Sequence, residues 1–134
     1  MPDTIELEIV TPERQVVKDR AEQIQIPGRN GYLGILPGHA PLITELAVGE
    51  ITYTNGGATT RLSVAWGFAE VLPDKVTILA ETAERSEDID VARAEAARNR
   101  AQEHLKSAED AAAYEEASLA LSRAEARLAV AKGK

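Results

Sequence analysis

The side chains in this chain best suited to chemistry are arginines. Arg93 and Arg100 stand two helical turns apart and so share one helix face, while Arg123 and Arg127 form an i,i+4 pair farther on. Brought together between two helices, four guanidiniums repel one another unless carboxylates or a polyphosphate lies among them, and their planar forks match phosphate oxygens. The ordinary alternative pairs Arg98, Arg100, Arg123 and Arg127 with Glu95, Glu103, Glu115 or Glu125 on solvated faces. Spacing alone leaves both readings open. The stretch "EDIDVARA" at 87–94 adds a pointer. Asp90 suits a helix N-cap, Ile89 and Ala94 then make a small hydrophobic staple, and Glu87 and Asp88 favour the positive end of the helix dipole. Helix initiation does not explain Arg93, a cation in the first turn, where that dipole disfavours it.

Catalytic groupings are scarce. The two histidines, His39 and His104, are far apart in sequence, have no metal-ligand spacing, and are accompanied by no cysteine. No nucleophile, base and orienting group can be assembled, and the glycines do not follow a phosphate-loop spacing. The expectation is a protein with no catalytic residues, no metal and no required cofactor. "GRNGYLGILPGHAPL" at 28–42 concentrates glycine and proline and reads by pattern as neither strand nor helix. It is either a structural loop or a preformed contact surface with Tyr32 and His39 as exposed hydrogen-bonding anchors.

At 134 residues and 44% hydrophobic content the chain suits one ordinary domain, or a small core with an appendage. Its net charge of -7 repels phosphate backbones and anionic lipid, which disfavours nonspecific nucleic-acid or membrane-surface binding. The start "MPDTIELEIV" lacks the basic and apolar regions of a signal peptide, and no window reaches transmembrane length. The expectation is a soluble chain kept on the side of the membrane where it is made.

The elements that must position these residues follow two periods. Up to about residue 84, short runs alternate with turns: "TIELEIV", "EQIQI", "EITYT", "TTRLSVAW", "FAEVL" and "VTILA". Ile5, Leu7 and Ile9 against Glu6 and Glu8 show the period of a strand with one buried face. "NGG" at 55–57 and "PDK" at 73–75 read as hairpin turns. Such strands bury their faces as a sandwich or barrel. From Asp90 onward glycine is absent until Gly133 and alanine dominates. Ala94, Ala97, Ala101, Leu105 and Ala108 make one helical stripe, and Tyr114, Ala117, Leu121, Ala124, Leu128 and Ala131 make another. The break falls at 107–114, where Ser107 and Asp110 end one helix and cap the next. The expected fold is α+β: a β-sandwich of about ten short strands over 1–85, then an antiparallel two-helix hairpin over 86–134.

Alanine in place of leucine along the hairpin seam forgoes roughly 2 kcal/mol of burial per position, at about 0.8 kcal/mol per carbon group. The hairpin is therefore expected near the low end of local stability and able to leave the sandwich. A permanently docked, stabilising hairpin is the alternative.

The order of "VTPE", "GYLGILPGHAPL", "WGFAEVLPDKVTILAETAER" and "DIDVARA", followed by an alanine-rich hairpin, resembles the epsilon subunit of bacterial and chloroplast F-type ATP synthases. The resemblance covers nearly the whole chain. It implies a central-stalk rotor subunit whose sandwich binds the gamma subunit and rests on the ring of c subunits, with membrane association only through the synthase. Such a subunit couples proton transport to ATP synthesis. Its hairpin folds against the sandwich or extends along gamma toward the alpha and beta subunits and restrains ATP hydrolysis. The location implied is the cytoplasmic face of the bacterial plasma membrane, or the stromal face of the thylakoid. Two sites are implied. A c-ring contact falls on Gly31, Tyr32 and His39, with Tyr32 where relatives often carry a carboxylate. A regulatory ATP site falls on Ile89, Asp90, Arg93 and Ala94, with Glu84, Arg100, Arg123 and Arg127 as accompanying ligands. ATP at 100 times its dissociation constant favours a binding-competent fold by about 2.7 kcal/mol, enough to reverse a modest preference for the extended hairpin. A free-standing nucleotide- or small-molecule-binding protein with a lid-like hairpin is the alternative function.

Overall fold

The computed structural model describes residues 3–132. The first half is built from strands whose alternate residues point into one core. In β1 (Ile5–Val10) the apolar residues Ile5, Leu7 and Ile9 are fully buried, while the intervening glutamates are half-exposed. β2 (Gln15–Ala21) pairs antiparallel with β1 and contributes Val17 and Ala21 to the core. β3 (Gln23–Gly28) and β4 (Gly31–Ile35) form a hairpin, and β5 (Leu42–Leu46) and β6 (Gly49–Asn55) follow.

The longest strand explains how one chain makes two layers. β7 (Ala58–Val71) pairs with β6 along its first half and with β5 along its second. The change of partner falls at Trp66 and Gly67, which have φ of 50° and 132°. There the ladder to β8 (Lys75–Arg85) lapses between the Ala65–Thr82 and Gly67–Ala80 pairs. A strand that bends at such a point passes from one sheet to the other and turns a corner of the sandwich. Gly67 is required at this bend, because a Cβ would stand 1.9 Å from the Leu79 carbonyl oxygen. β1 closes the arrangement by pairing parallel with β8.

Among the described residues the sandwich therefore has eight strands rather than about ten. "TTRLSVAW" and "FAEVL" are one strand bent at its middle. Part of the glycine-rich segment 28–42, expected to be irregular, is the strand β4, whose backbone pairs with β3 from Ile24–Ile35 to Gly28–Gly31. The "NGG" turn is a two-residue connection in which Gly56 and Gly57 both have positive φ, the geometry that matches strand twist in a tight hairpin. At the "PDK" turn the Leu72 amide donates to the Lys75 carbonyl at 2.8 Å.

A short 3-10 turn, Ser86–Asp88, leads into α1 (Val91–Ser107) and α2 (Ala111–Lys132). Asp90 caps α1, its Oδ1 accepting from the Arg93 amide at 3.1 Å, and Asp110 caps α2 by accepting from the Ala113 amide at 2.7 Å. The connection is short, so the helices lie antiparallel, with Ala94 and Ala101 of α1 and Ala117, Ala124 and Leu128 of α2 buried. Two expectations change. Tyr114 is exposed, because the first turn of α2 projects beyond the packed part of the hairpin. Ile89 forms its buried cluster with Val130 and Ala131 at the far end of α2 rather than with Ala94. α2 lies against β6, β7 and the 3-10 turn as well as against α1, so it buries more than one stripe.

Candidate functional site

The docked hairpin and the sandwich enclose a cleft of about 700 Å³. α1 lines it with Arg93, Arg100 and His104, and α2 with Arg123 and Arg127. The opposite wall is Glu81–Glu84 of β8 together with Thr11, Glu13 and Arg14 from the β1–β2 turn. The small alanines of the seam, Ala97, Ala101, Ala120 and Ala124, form its floor and leave it room. Five arginines against three glutamates make this a positive site on a chain whose net charge is -7.

The cations are not equivalent. Arg127 makes a fork to Glu84, Nε to Oε1 at 2.7 Å and an Nη to Oε2 at 3.4 Å. This pair is half-buried and joins α2 to the end of β8. The Arg123 guanidinium lies 5.2 Å from the ring centroid of Trp66, a cation–π contact to the corner of the sandwich. Both α2 arginines therefore hold the hairpin down. Among the described residues, Arg93 and Arg100 have no carboxylate within ion-pair distance. They remain available for an anion.

Of the residues expected at an ATP site, Glu84, Arg93, Arg100, Arg123 and Arg127 all line this cleft. Asp90, Ile89 and Ala94 do not. Asp90 holds the helix start, Ile89 sits under the end of α2, and Ala94 is buried. Sequence reading missed Arg14 and Thr11, which belong to a turn distant in sequence. It also missed Trp66, for which no spacing rule applies.

At the start of β4, Gly31 has a φ of 130° and Tyr32 is exposed. The Tyr32 hydroxyl accepts a hydrogen bond from the Glu50 amide at 3.0 Å. It packs so closely over Gly49 that a Cβ there would meet the hydroxyl at 2.7 Å. His39 differs from the expected exposed anchor. It is half-buried, its Nδ1 lies 2.7 Å from the Ala40 carbonyl, and its amide donates to the Leu36 carbonyl. The turn around it occupies Nδ1 and the backbone amide.

A second surface feature lies on the outer face of β5, β7 and β8. Ile43, Phe68 and Leu79 are 70%, 54% and 56% exposed, and Phe68 and Leu79 are directly opposed in the ladder. Leu36, Leu42 and Leu72 are also exposed elsewhere on the sandwich, and Val10, Pro12 and Leu79 line an apolar depression of about 420 Å³. The signal in the sequence was consecutive apolar residues, Leu42–Ile43 and Ile78–Leu79. In a strand, one of each pair must face outward.

The family description of an ATP synthase delta/epsilon chain β-sandwich domain matches residues 4–86, and that of the long α-helix domain matches residues 87–132. The chain belongs to the ATP synthase delta/epsilon family. Within that family it is 72% identical over 106 residues to the ATP synthase epsilon chain of Koribacter versatilis (strain Ellin345), covering 79% of this chain and 75% of that one. It is 49% identical to the epsilon chain of Solibacter usitatus (strain Ellin6076) over the full length of both. The fold is also similar to a chain in the mitochondrial ATP synthase of Euglena gracilis, solved with OSCP, F1 and the c-ring. There the TM-score is 0.85 at 25% identity, over 96% of this chain and 82% of that one.

Proposed function

We propose that this delta/epsilon chain is a non-catalytic subunit of the F-type ATP synthase central stalk, and that its hairpin senses ATP. The sandwich serves the coupling role, with the Ile43–Phe68–Leu79 face taking the gamma subunit. Contiguous exposed apolar surface on a small protein marks a binding site. The β3–β4 hairpin, with Gly31 and Tyr32 at the start of β4, and the β4–β5 connection that carries His39 meet the c-ring. Tyr32 presents an aromatic ring there, its hydroxyl already held by the backbone of β6. The chain has no helix among its described residues that is long and apolar enough to cross a membrane, so membrane attachment runs through the complex. The position is peripheral, on the cytoplasmic face of the bacterial membrane.

The observation that carries the regulatory reading is the arginine cleft, which exists only while the hairpin is docked. ATP is the regulatory ligand of that cleft. Its phosphates neutralise Arg93 and Arg100, and the ligand lies against Arg123, Arg127 and Glu84. Bound ATP holds the hairpin against the sandwich. When ATP is scarce the hairpin extends along gamma to the alpha and beta subunits and restrains hydrolysis. The test is ATPase activity of the synthase with the whole chain and with a chain lacking residues 90–134. Faster hydrolysis at low ATP without the hairpin supports the regulatory role; unchanged hydrolysis removes it and leaves the coupling role.

A further inference from the structure

The cleft has two walls that belong to different bodies. Four of its arginines stand on the hairpin; on the sandwich wall Arg14 is, among the described residues, the only cation that lines it. The turn that carries Arg14 is closed by its own hydrogen bonds. The Thr11 amide donates to the Arg14 carbonyl at 2.9 Å, the Arg14 amide to Thr11 Oγ1 at 3.4 Å, and Thr11 Oγ1 to the same carbonyl at 3.3 Å. These bonds fix the backbone of Arg14 at the edge of the cleft. Glu13 and Glu81 also line the cleft, yet among the described residues neither is within ion-pair distance of an arginine. Among the described residues, the Arg14 guanidinium, like those of Arg93 and Arg100, has no carboxylate partner within ion-pair distance.

Resting on the nucleotide reading of the cleft, we infer that Arg14 is a further phosphate-binding residue, and that it makes binding depend on hairpin docking. An anion held by hairpin cations alone binds a docked and a released hairpin alike, and a ligand with equal affinity for two states shifts neither. An anion held from both walls binds the docked state better, and that difference in affinity moves the equilibrium. Glu84 cannot supply the sandwich-side grip on a phosphate, because it is an anion already engaged by Arg127. Arg14 supplies it, and its planar fork suits two phosphate oxygens at once.

The experiment titrates ATP into the full chain by calorimetry and follows amide exchange of α1 and α2, using wild type, Arg14→Ala, Arg14→Lys and Arg93→Ala. Arg14→Ala is expected to weaken ATP about tenfold, the scale of one charge-assisted contact. At saturating ATP it is also expected to reduce the slowing of hairpin exchange by a similar factor. Arg14→Lys recovers part of both, and the thermal midpoint without ATP stays that of wild type, since Arg14 is an exposed turn residue. Wild-type affinity in Arg14→Ala together with weakened binding in Arg93→Ala overturns the role of Arg14 and leaves the cleft reading standing. Weakened binding with an undiminished exchange response at saturation overturns the link to docking. No binding by the wild type at millimolar ATP removes the nucleotide reading itself, and the role of Arg14 with it.

Discussion

Arg123 and Arg127 lie one turn apart on α2 and grip different parts of the sandwich, an aromatic ring and a carboxylate. Arg127→Ala removes a half-buried fork and leaves Glu84 without its partner. It is expected to weaken docking by about 1–2 kcal/mol, more than an exposed pair contributes. The check is amide exchange, which should quicken in α2 while the strands keep their rates. The arginine spacing was legible in the sequence because helix geometry is regular. The partners Trp66 and Glu84 were not equally so. Glu84 entered through resemblance, and Trp66 is brought under α2 only by the bend in β7. A second residue-level expectation concerns Tyr53, which is buried and donates to Asp19 Oδ2 at 3.2 Å. Burial raises its phenol above the usual 10.0. The folded state keeps the proton where the unfolded chain has lost it. The stability this gives is present below about pH 10 and is lost as pH rises from there through the folded value. Thermal midpoints measured across that range should fall with pH, and Tyr53→Phe should flatten the part of the fall due to this group.

At the scale of elements, the hairpin is held by small residues along its seam and by a few larger contacts at its edges. Ala124 is buried against α1 at 2% exposure and also lines the cleft. Ala124→Leu overfills the seam and is expected to cost about 1–3 kcal/mol. It should release the hairpin without lowering the melting of the sandwich, seen as fast exchange confined to α1 and α2. The change from strand to helix period was plain in the sequence, as were both helix caps, since each rests on local rules. β4 and β2 were not, for different reasons. β4 is glycine-rich and becomes a strand because β3 supplies its backbone partners, a nonlocal cause. β2 carries Lys18, Asp19 and Arg20 in succession, so its short buried pattern of Val17 and Ala21 is masked by charge. Tyr114 fits the apolar stripe of α2 by spacing but extends past the surface that α1 covers.

For the whole molecule, the sandwich and the hairpin differ in what holds them. A continuous core of isoleucine, leucine and valine fills the sandwich, whereas the hairpin adds the small cluster of Ile89, Val130 and Ala131. Such a division lets one part stay rigid on a rotor while the other changes partners. In the function proposed above, the positive cleft between the two parts is the means of control. The central claim is that ATP shifts the hairpin toward the docked state. Its most direct test is hydrogen exchange of the isolated full chain, comparing α1 and α2 with the strands as ATP is raised. Without ATP, exchange should be faster in the helices than in β1, β7 and β8. With ATP at 100 times its dissociation constant, helix exchange should slow by up to about 100-fold while the strands stay unchanged. Helix exchange that is the same at every ATP concentration would contradict it.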